Sequence, residues 1–482
     1  MLKRKLSSLL LLSLATVALA SCSNKETLLF LNWGEYIDEE MLAAFEEKYN
    51  CTVSMDLGDS NEIFYSKVRG GTTVYDVVCP SDYMVEKMYM NDMLERIDFS
   101  KLTLSEYNPD SLDVRVGVKS IFNDMNNNLK MNLGESYTDG DIKNYCVPYL
   151  WGTWGIMYTT EKEGLEQAVT KNENQWASLF DRNSLPSGTR VAMYDSHQHA
   201  YYAASRYLEK AEPLSVDYGV ELSNSDLYRI QALIKDMGYD AWGTDSIKKD
   251  IVAGNIDVGF MWTGDFLYYY CENAAEVVLN AYQAGDVTID KVYDMMVTIT
   301  DSSKRVYEAN GHTYEIGFDC FIPDDTIAFC DNLAITKDSS NKDLAYKFVD
   351  FMSSYQTSCE LDEDGNEIDV SGLEFASEGT YTPAYTNTYY VCYDAVTNKV
   401  YDSLVDLKNY EYTDLDKNTF IEEMNGGTDP LDSTLYALFY DTLTGLAFEK
   451  YYPKDTTKGE ILATFSRTYI NQINATFNNA RA

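Results

Sequence analysis

The sequence predicts an α/β fold, and three observations predict it. Between Leu28 and about Tyr149, short apolar runs of strand length (Leu28–Asn32, Cys51–Asp56, Tyr75–Cys79) alternate with segments whose apolar residues recur at helical spacing. Such alternation is the mark of a parallel sheet covered by helices. Helix punctuation sits where that reading needs it: the helical stretch Asn61–Val68 runs into Gly70-Gly71, a stop signal. Apolar residues make up 45% of the chain, enough for a packed core and too many for a disordered one.

The first unit organises the rest. Leu28–Asn32 reads as a buried strand, followed by a loop carrying Trp33, Glu35 and Tyr36. Asp38 is placed to N-cap the next helix, with Glu39 and Glu40 at the positive end of its dipole and Met41, Leu42 and Phe45 as its apolar stripe. In a parallel sheet the C-terminal strand ends open into the ligand crevice. An indole, a carboxylate and a phenol then meet at a cleft mouth; the competing reading has Trp33 and Tyr36 capping a core around a solvated Glu35. Pro80 ends the strand Tyr75–Cys79, and Ser81-Asp82-Tyr83 follows, either as a cleft turn or as an N-cap with a packing tyrosine. Leu102–Lys143 is rich in Asn and Asp and reads as a surface excursion.

The ends and the composition narrow the setting. Lys3, Arg4 and Lys5 precede the apolar run Leu6–Ala18, and Leu19-Ala20-Ser21-Cys22 resembles a bacterial lipoprotein cleavage box. Residues 1–22 are therefore expected to be a signal peptide. The mature chain would start at a lipidated, palmitate-bearing Cys22, with 23–27 as a tether on the outer side of the cytoplasmic membrane. About 460 remaining residues fit two or three domains. Against 38 basic residues stand 77 acidic ones, a net of −39, which argues against nucleic acid and suits a cationic ligand. The eight other cysteines form no CxxC pair, so neither a zinc knuckle nor a dithiol motif is signalled, and Cys79 reads as a core residue. His197 and His199, on one face of a strand, would make a weak metal pair; hydrogen bonding is the simpler role. No cofactor is called for.

The runs FLNWGEYID, DSNEIFYSKV (Asp59–Val68) and YDVVCPSDYMVEKM (Tyr75–Met88) resemble the spermidine/putrescine-binding proteins of bacterial ABC importers in order and spacing. The resemblance extends to about Asn387, with insertions. It implies a two-lobed periplasmic-binding-protein fold, type II-like, with the ligand in the cleft between lobes. Lobe 1 would comprise 28–149 plus 326–386, and lobe 2 150–325 plus 387–482, with crossings near Trp151, Asp325 and Asn387. It further implies a monomer that hands polyamines to permease subunits and catalyses nothing.

The resemblance also assigns site residues. Trp33, Glu35, Tyr36, Ser81 and Tyr83 come from the first blocks. In Val191–Ala203, where the family sets carboxylates, Asp195 is kept while Ser196 and His199 occupy ligand-facing positions. Trp262 ends the strand of IVAGNIDVGFMW, with Thr244 upstream and Thr263-Gly264-Asp265 read as a loop. Phe329 and Asp331 stand at alternate positions in IAFCDNLAITK, where the family grips an ammonium. Tyr381 precedes the later crossover, and Asp455 precedes a final helix at about Gly459–Phe477. The chemistry is coherent: carboxylates hold ammonium ends and aromatic faces cover methylenes. The alternatives are a binding protein of the same fold for a sugar or a metal, or a secreted acidic hydrolase, although no Ser-His-Asp order, HExxH or P-loop is present.

Overall fold

The computed structural model describes residues 25–353 apart from 35, 38, 59, 103–115, 216–218, 245 and 302. It also describes 359–361, 367–369, 382–383, six positions between 439 and 451, and 459–481 apart from 464. Cys22, Glu35, Tyr381 and Asp455 lie outside the described residues, as does the cap assigned to Asp38.

Strands β1 (Thr27–Asn32), β2 (Thr52–Leu57) and β3 (Val77–Val78) pair in parallel. The strand β4 (Val147–Thr159) is buried along all thirteen residues. Beyond it come β5 (Val191–Tyr194), β6 (Ala241–Gly243) and β7 (Val258–Trp262). The hairpin β8 (Val306–Ala309) and β9 (His312–Glu315) precedes β10 (Phe318–Phe321) and β11 (Ala328–Ile335). The main pairing order is β2-β1-β3-β11-β4-β7-β5-β6, with β10 and Thr382–Pro383 also on β4.

β4 is shared between two halves of this network. Its residues Val147–Thr153 pair with β11, and Trp154–Tyr158 pair with β7. The core follows the same division. Phe30, Phe45, Val78, Leu129, Trp151 and Phe348 belong to one apolar cluster, whereas the β4 residues Trp154, Ile156, Met157 and Tyr158 feed two others. Phe348 meets Phe30 and Phe45 edge-on at 4.9 and 5.0 Å between centroids. Truncating such a fully buried ring to alanine costs about 3–5 kcal/mol. A strand feeding both halves fixes the distance between them along its axis and leaves a cleft beside it.

Four local expectations are corrected. Within Leu102–Lys143 the structure has an 18-residue helix, Val116–Leu133, whose Val118, Ile121, Phe122, Met125 and Leu129 are buried at i, i+3, i+4, i+7 and i+11. Asn and Asp on its other face hid that stripe in the composition. His197 and His199 lie not on a strand but in the first turn of the helix His197–Ala211, and their rings diverge. His197 stacks on Phe477 at 5.5 Å and His199 on Trp154 at 4.3 Å. Thr263-Gly264-Asp265 is the first turn of the helix Thr263–Gln283 rather than a loop.

The last helix runs Arg467–Arg481, not from Gly459. Glu460 instead bridges Ile327: its N–H donates to Thr326 O at 2.8 Å and its carbonyl accepts from Ala328 N at 2.9 Å. Gly459, at φ +100°, allows this approach, because a Cβ there would stand 2.8 Å from that of Ala328.

Candidate ligand-binding cleft

A cleft of about 1700 Å³ opens beside β4 and β11. Among the sequence-predicted site residues, it is lined by Trp33, Tyr36, Ser81, Tyr83, Asp195, Ser196, His199, Thr244, Trp262, Phe329 and Asp331. These come from segments some 300 residues apart in sequence.

One wall is built from the ends of β1 and β3 and the middle of β11. Trp33 is pinned where β1 ends: its Nε1 donates to Cys79 O at 2.8 Å, and its ring meets Phe64 edge-on at 4.4 Å. Phe64 belongs to the helix Asn61–Gly70, which Ser60 caps and Gly71 terminates at φ +63°. Ser81 and Asp82 follow β3 at the head of the helix Asp82–Met90 and lock onto β11. Asp82 Oδ2 accepts from Cys330 N at 2.8 Å, and Asn332 N donates to Pro80 O at 2.9 Å. The β4–β11 register shifts between Asp331 and Asn332. Irregularities of this kind commonly re-aim a side chain beside a site.

The result is a carboxylate held by neutral donors. Asp331 is 5% exposed. Its Oδ2 accepts from Tyr36 Oη at 2.6 Å and its Oδ1 from Ser81 Oγ at 2.6 Å. Ser81 is oriented in turn by Asn61, whose Nδ2 donates to Ser81 Oγ at 2.9 Å and whose Oδ1 accepts from Ser81 N at 3.0 Å. Burial raises the Asp331 carboxyl to about 6 despite the two hydroxyl donors. No lysine or arginine pairs with it among the described residues. Burial likewise raises the neighbouring Asp82 to about 7, opposed by the N–H groups of Cys330 and Tyr83.

The facing wall is aromatic. Trp262, at the end of β7, meets Phe329 edge-on at 4.6 Å and the buried Trp154 at 4.3 Å. Its Nε1 donates to Tyr194 Oη at 3.3 Å. His199 lies flat on Trp154, 9° from parallel, with Nδ1 2.6 Å from Ser196 Oγ. Burial holds its imidazole neutral, at about 3. Asp195 is spent on the last helix: Arg481 Nη1 donates to its Oδ1 at 2.5 Å, with the guanidinium 4.6 Å above Trp242. Thr244 is exposed on the rim, its carbonyl accepting from Ile247 N at 3.1 Å.

Sequence reasoning missed several lining residues: Asn61, Glu62, Asp82, Lys248, Asp265 and Tyr269. Asp265 carried the clearest sequence signal of them, three residues beyond Trp262. Reading its segment as a loop removed the reason to look for a carboxylate in a helical first turn. Among the described residues, no cluster of His, Cys, Asp and Glu could hold a metal ion, and no helix is long and apolar enough to cross a membrane.

Three comparisons bear on this arrangement. The profile of a family described as "hypothetical lipoprotein (MG045 family)" matches residues 1–184. The chain is 24% identical, over 86% of its length and 98% of the other's, to the putrescine/cadaverine-binding protein of Pseudomonas aeruginosa. Among solved structures, it resembles the spermidine/putrescine ABC transporter substrate-binding protein of Streptococcus pneumoniae. The TM-score is 0.52 at 17% identity, covering 95% of this chain and 99% of that one. The Tp0655 lipoprotein of Treponema pallidum gives 0.52 at 17%, covering 94% and 99%. The fold is thus the two-lobed α/β fold of periplasmic substrate-binding proteins.

Proposed function

We propose that this chain is the substrate-binding lipoprotein of a bacterial ABC importer and that it captures polyamines in the cleft. The observation that carries the reading is Asp331, a nearly sealed carboxylate whose protein partners are two hydroxyls. A buried carboxylate without a counter-charge is costly. A ligand ammonium at that point relieves the cost and makes charge-assisted hydrogen bonds. Trp33, Trp262 and Phe329 supply faces and edges to cover an alkyl chain, with cation–π attraction worth up to about 2 kcal/mol in a dry site. The net charge of −39 draws a cation inward. The similarity to a putrescine/cadaverine-binding protein supports the same ligand class.

The fold and the expected leader at residues 1–22 support the remaining parts of the reading. We assign the described parts of 28–149 and 326–386 to one lobe and those of 150–325 and 387–482 to the other. They close over the ligand by hinge motion and present a closed surface to permease subunits. Cys22 carries the lipid that keeps the protein on the outer face of the membrane, as the similarity to a lipoprotein family supports.

Calorimetric titration of the protein with putrescine, spermidine and maltose tests the reading. Saturable binding of an amine and none of the sugar is expected. Saturable sugar binding with no amine heat would overturn it. Mass spectrometry of the membrane-fraction protein checks the anchor: a diacylglyceryl-modified Cys22 is expected, and unmodified protein as the dominant form would refute it.

A further inference from the structure

The aromatic wall contains a cation of the chain's own. Lys248, in the helix Ser246–Val252, is 4% exposed, yet it lines the cleft. Its Nζ donates to Asp265 Oδ1 at 2.9 Å and lies 5.6 Å from the ring centroid of Tyr269. Asp265 lines the same cleft, with 16% of its side chain exposed. It sits in the first turn of the helix Thr263–Gln283, whose dipole favours its negative charge. An ammonium held between a carboxylate and an aromatic ring is the arrangement a cleft of this kind would offer an amine ligand. At this point the protein fills it with a lysine.

Resting on the amine-binding reading above, we propose that Lys248 is a specificity-determining residue that occupies Asp265 in place of a ligand's second ammonium. The pair is largely withdrawn from water, so parting it costs both groups a buried ionic contact. A diamine anchored at Asp331 whose far end is directed at Asp265 must displace Lys248 to pair with it. A monoamine anchored at Asp331 meets no such competition. Among the described residues, the other carboxylate on this wall offers no easier berth, because Asp195 is held by Arg481. The second charge of a diamine therefore adds less affinity than two ligand-ready carboxylates would give it, and Lys248 sets that discount.

The test is the ratio of putrescine to butylamine affinity, measured by calorimetry at one ionic strength, with thermal unfolding followed for each variant. Lys248→Met is expected to strengthen putrescine binding about tenfold or more while butylamine changes less than about threefold, since only the diamine gains a buried charge partner. Lys248→Arg, which keeps the cation, is expected to preserve the wild-type ratio. Lys248→Met combined with Asp265→Asn is expected to return it to the wild-type value. Lys248→Gln keeps a donor toward Asp265 and should move the ratio the same way as Met, so it decides the matter where the Met variant does not fold. An unchanged ratio in folded Lys248→Met or Lys248→Gln overturns the proposal while leaving amine binding intact. Wild-type protein that binds neither amine overturns the amine reading, and this inference with it.

Discussion

On the wall built from β1, β3 and β11, Asp331 is nearly sealed from water and its oxygens meet two hydroxyls. On the wall facing it, the cleft-lining carboxylates Asp195 and Asp265 are each matched by a cation of the chain, Arg481 and Lys248. The first arrangement leaves an electrostatic debt that a ligand can settle. The second is already paired and offers mainly aromatic surface, with the neutral imidazole of His199 beside it. On the proposed amine-binding reading, such a cleft would hold one ammonium strongly and leave the rest of the molecule against rings. An abundance of acidic residues is therefore a poor guide to where a cation binds; the state of pairing of each carboxylate decides it.

The sharpest way to break this contrast is Asp331→Asn. Removing the charge from a buried pair costs about 2–5 kcal/mol, so putrescine affinity should fall roughly thirty- to several-thousand-fold. The unliganded protein should respond in the opposite direction. With the folded carboxyl raised to about 6 from the ordinary aspartate value of 3.8, the native state holds more protons than the unfolded one between those values. Stability therefore falls as pH rises through that window, and the loss is complete above about 6. Relieving it, Asp331→Asn should be more stable at pH 7 by roughly 1–3 kcal/mol in urea unfolding. Unchanged affinity in the folded variant would show that the carboxylate does not face the ligand.

A smaller loss is expected on the aromatic wall. Trp262→Ala removes a ring packed against Phe329 and Trp154, and it should weaken putrescine binding about five- to thirtyfold, equivalent to about 1–2 kcal/mol. A loss equal to that of Asp331→Asn would mean that the two walls do not divide the work as described.

pH sharpens the comparison further. Binding an ammonium requires Asp331 ionised, so affinity should decline as pH falls through about 6, approaching tenfold per unit below it. His199, neutral down to about 3, contributes nothing over that range. Asp82, raised to about 7, titrates nearby, so Asp82→Asn is the control: the decline should survive it and vanish in Asp331→Asn. Titrations between pH 5 and 8 read this directly.

The smallest effect is expected at Asp195. Its carboxylate is partly exposed and already held by Arg481, so Asp195→Asn should change putrescine affinity by less than about threefold. A loss above tenfold would show that the ligand displaces Arg481, and the asymmetry of the walls would be gone.

The sequence by itself determined the α/β class and, through the family resemblance, pointed to a set of residues from Trp33 to Asp331 that line the cleft. Strand-length apolar runs, a glycine stop after Asn61–Gly70 and aromatic or acidic residues at strand ends are local signals, set by backbone sterics and burial within a few residues. It also carried the alternation that sends Phe329 and Asp331 into the same cleft. Other features were beyond it, because they depend on who meets whom across the fold. The buried stripe of Val116–Leu133 is visible only once a core exists to receive it, since its polar face dominates the composition. The divergence of His197 and His199 follows from a helix beginning one residue after Ser196, which turned a shared strand face into two separate stacks. Above all, Asp195, Asp265 and Asp331 are the same residue type in one string of letters, each near an aromatic. Only the tertiary structure decided that two of them have a cation of the chain at their side while the third meets hydroxyls. Pairing is a contact between segments up to some 300 residues apart, and its energy depends on burial that no single segment specifies.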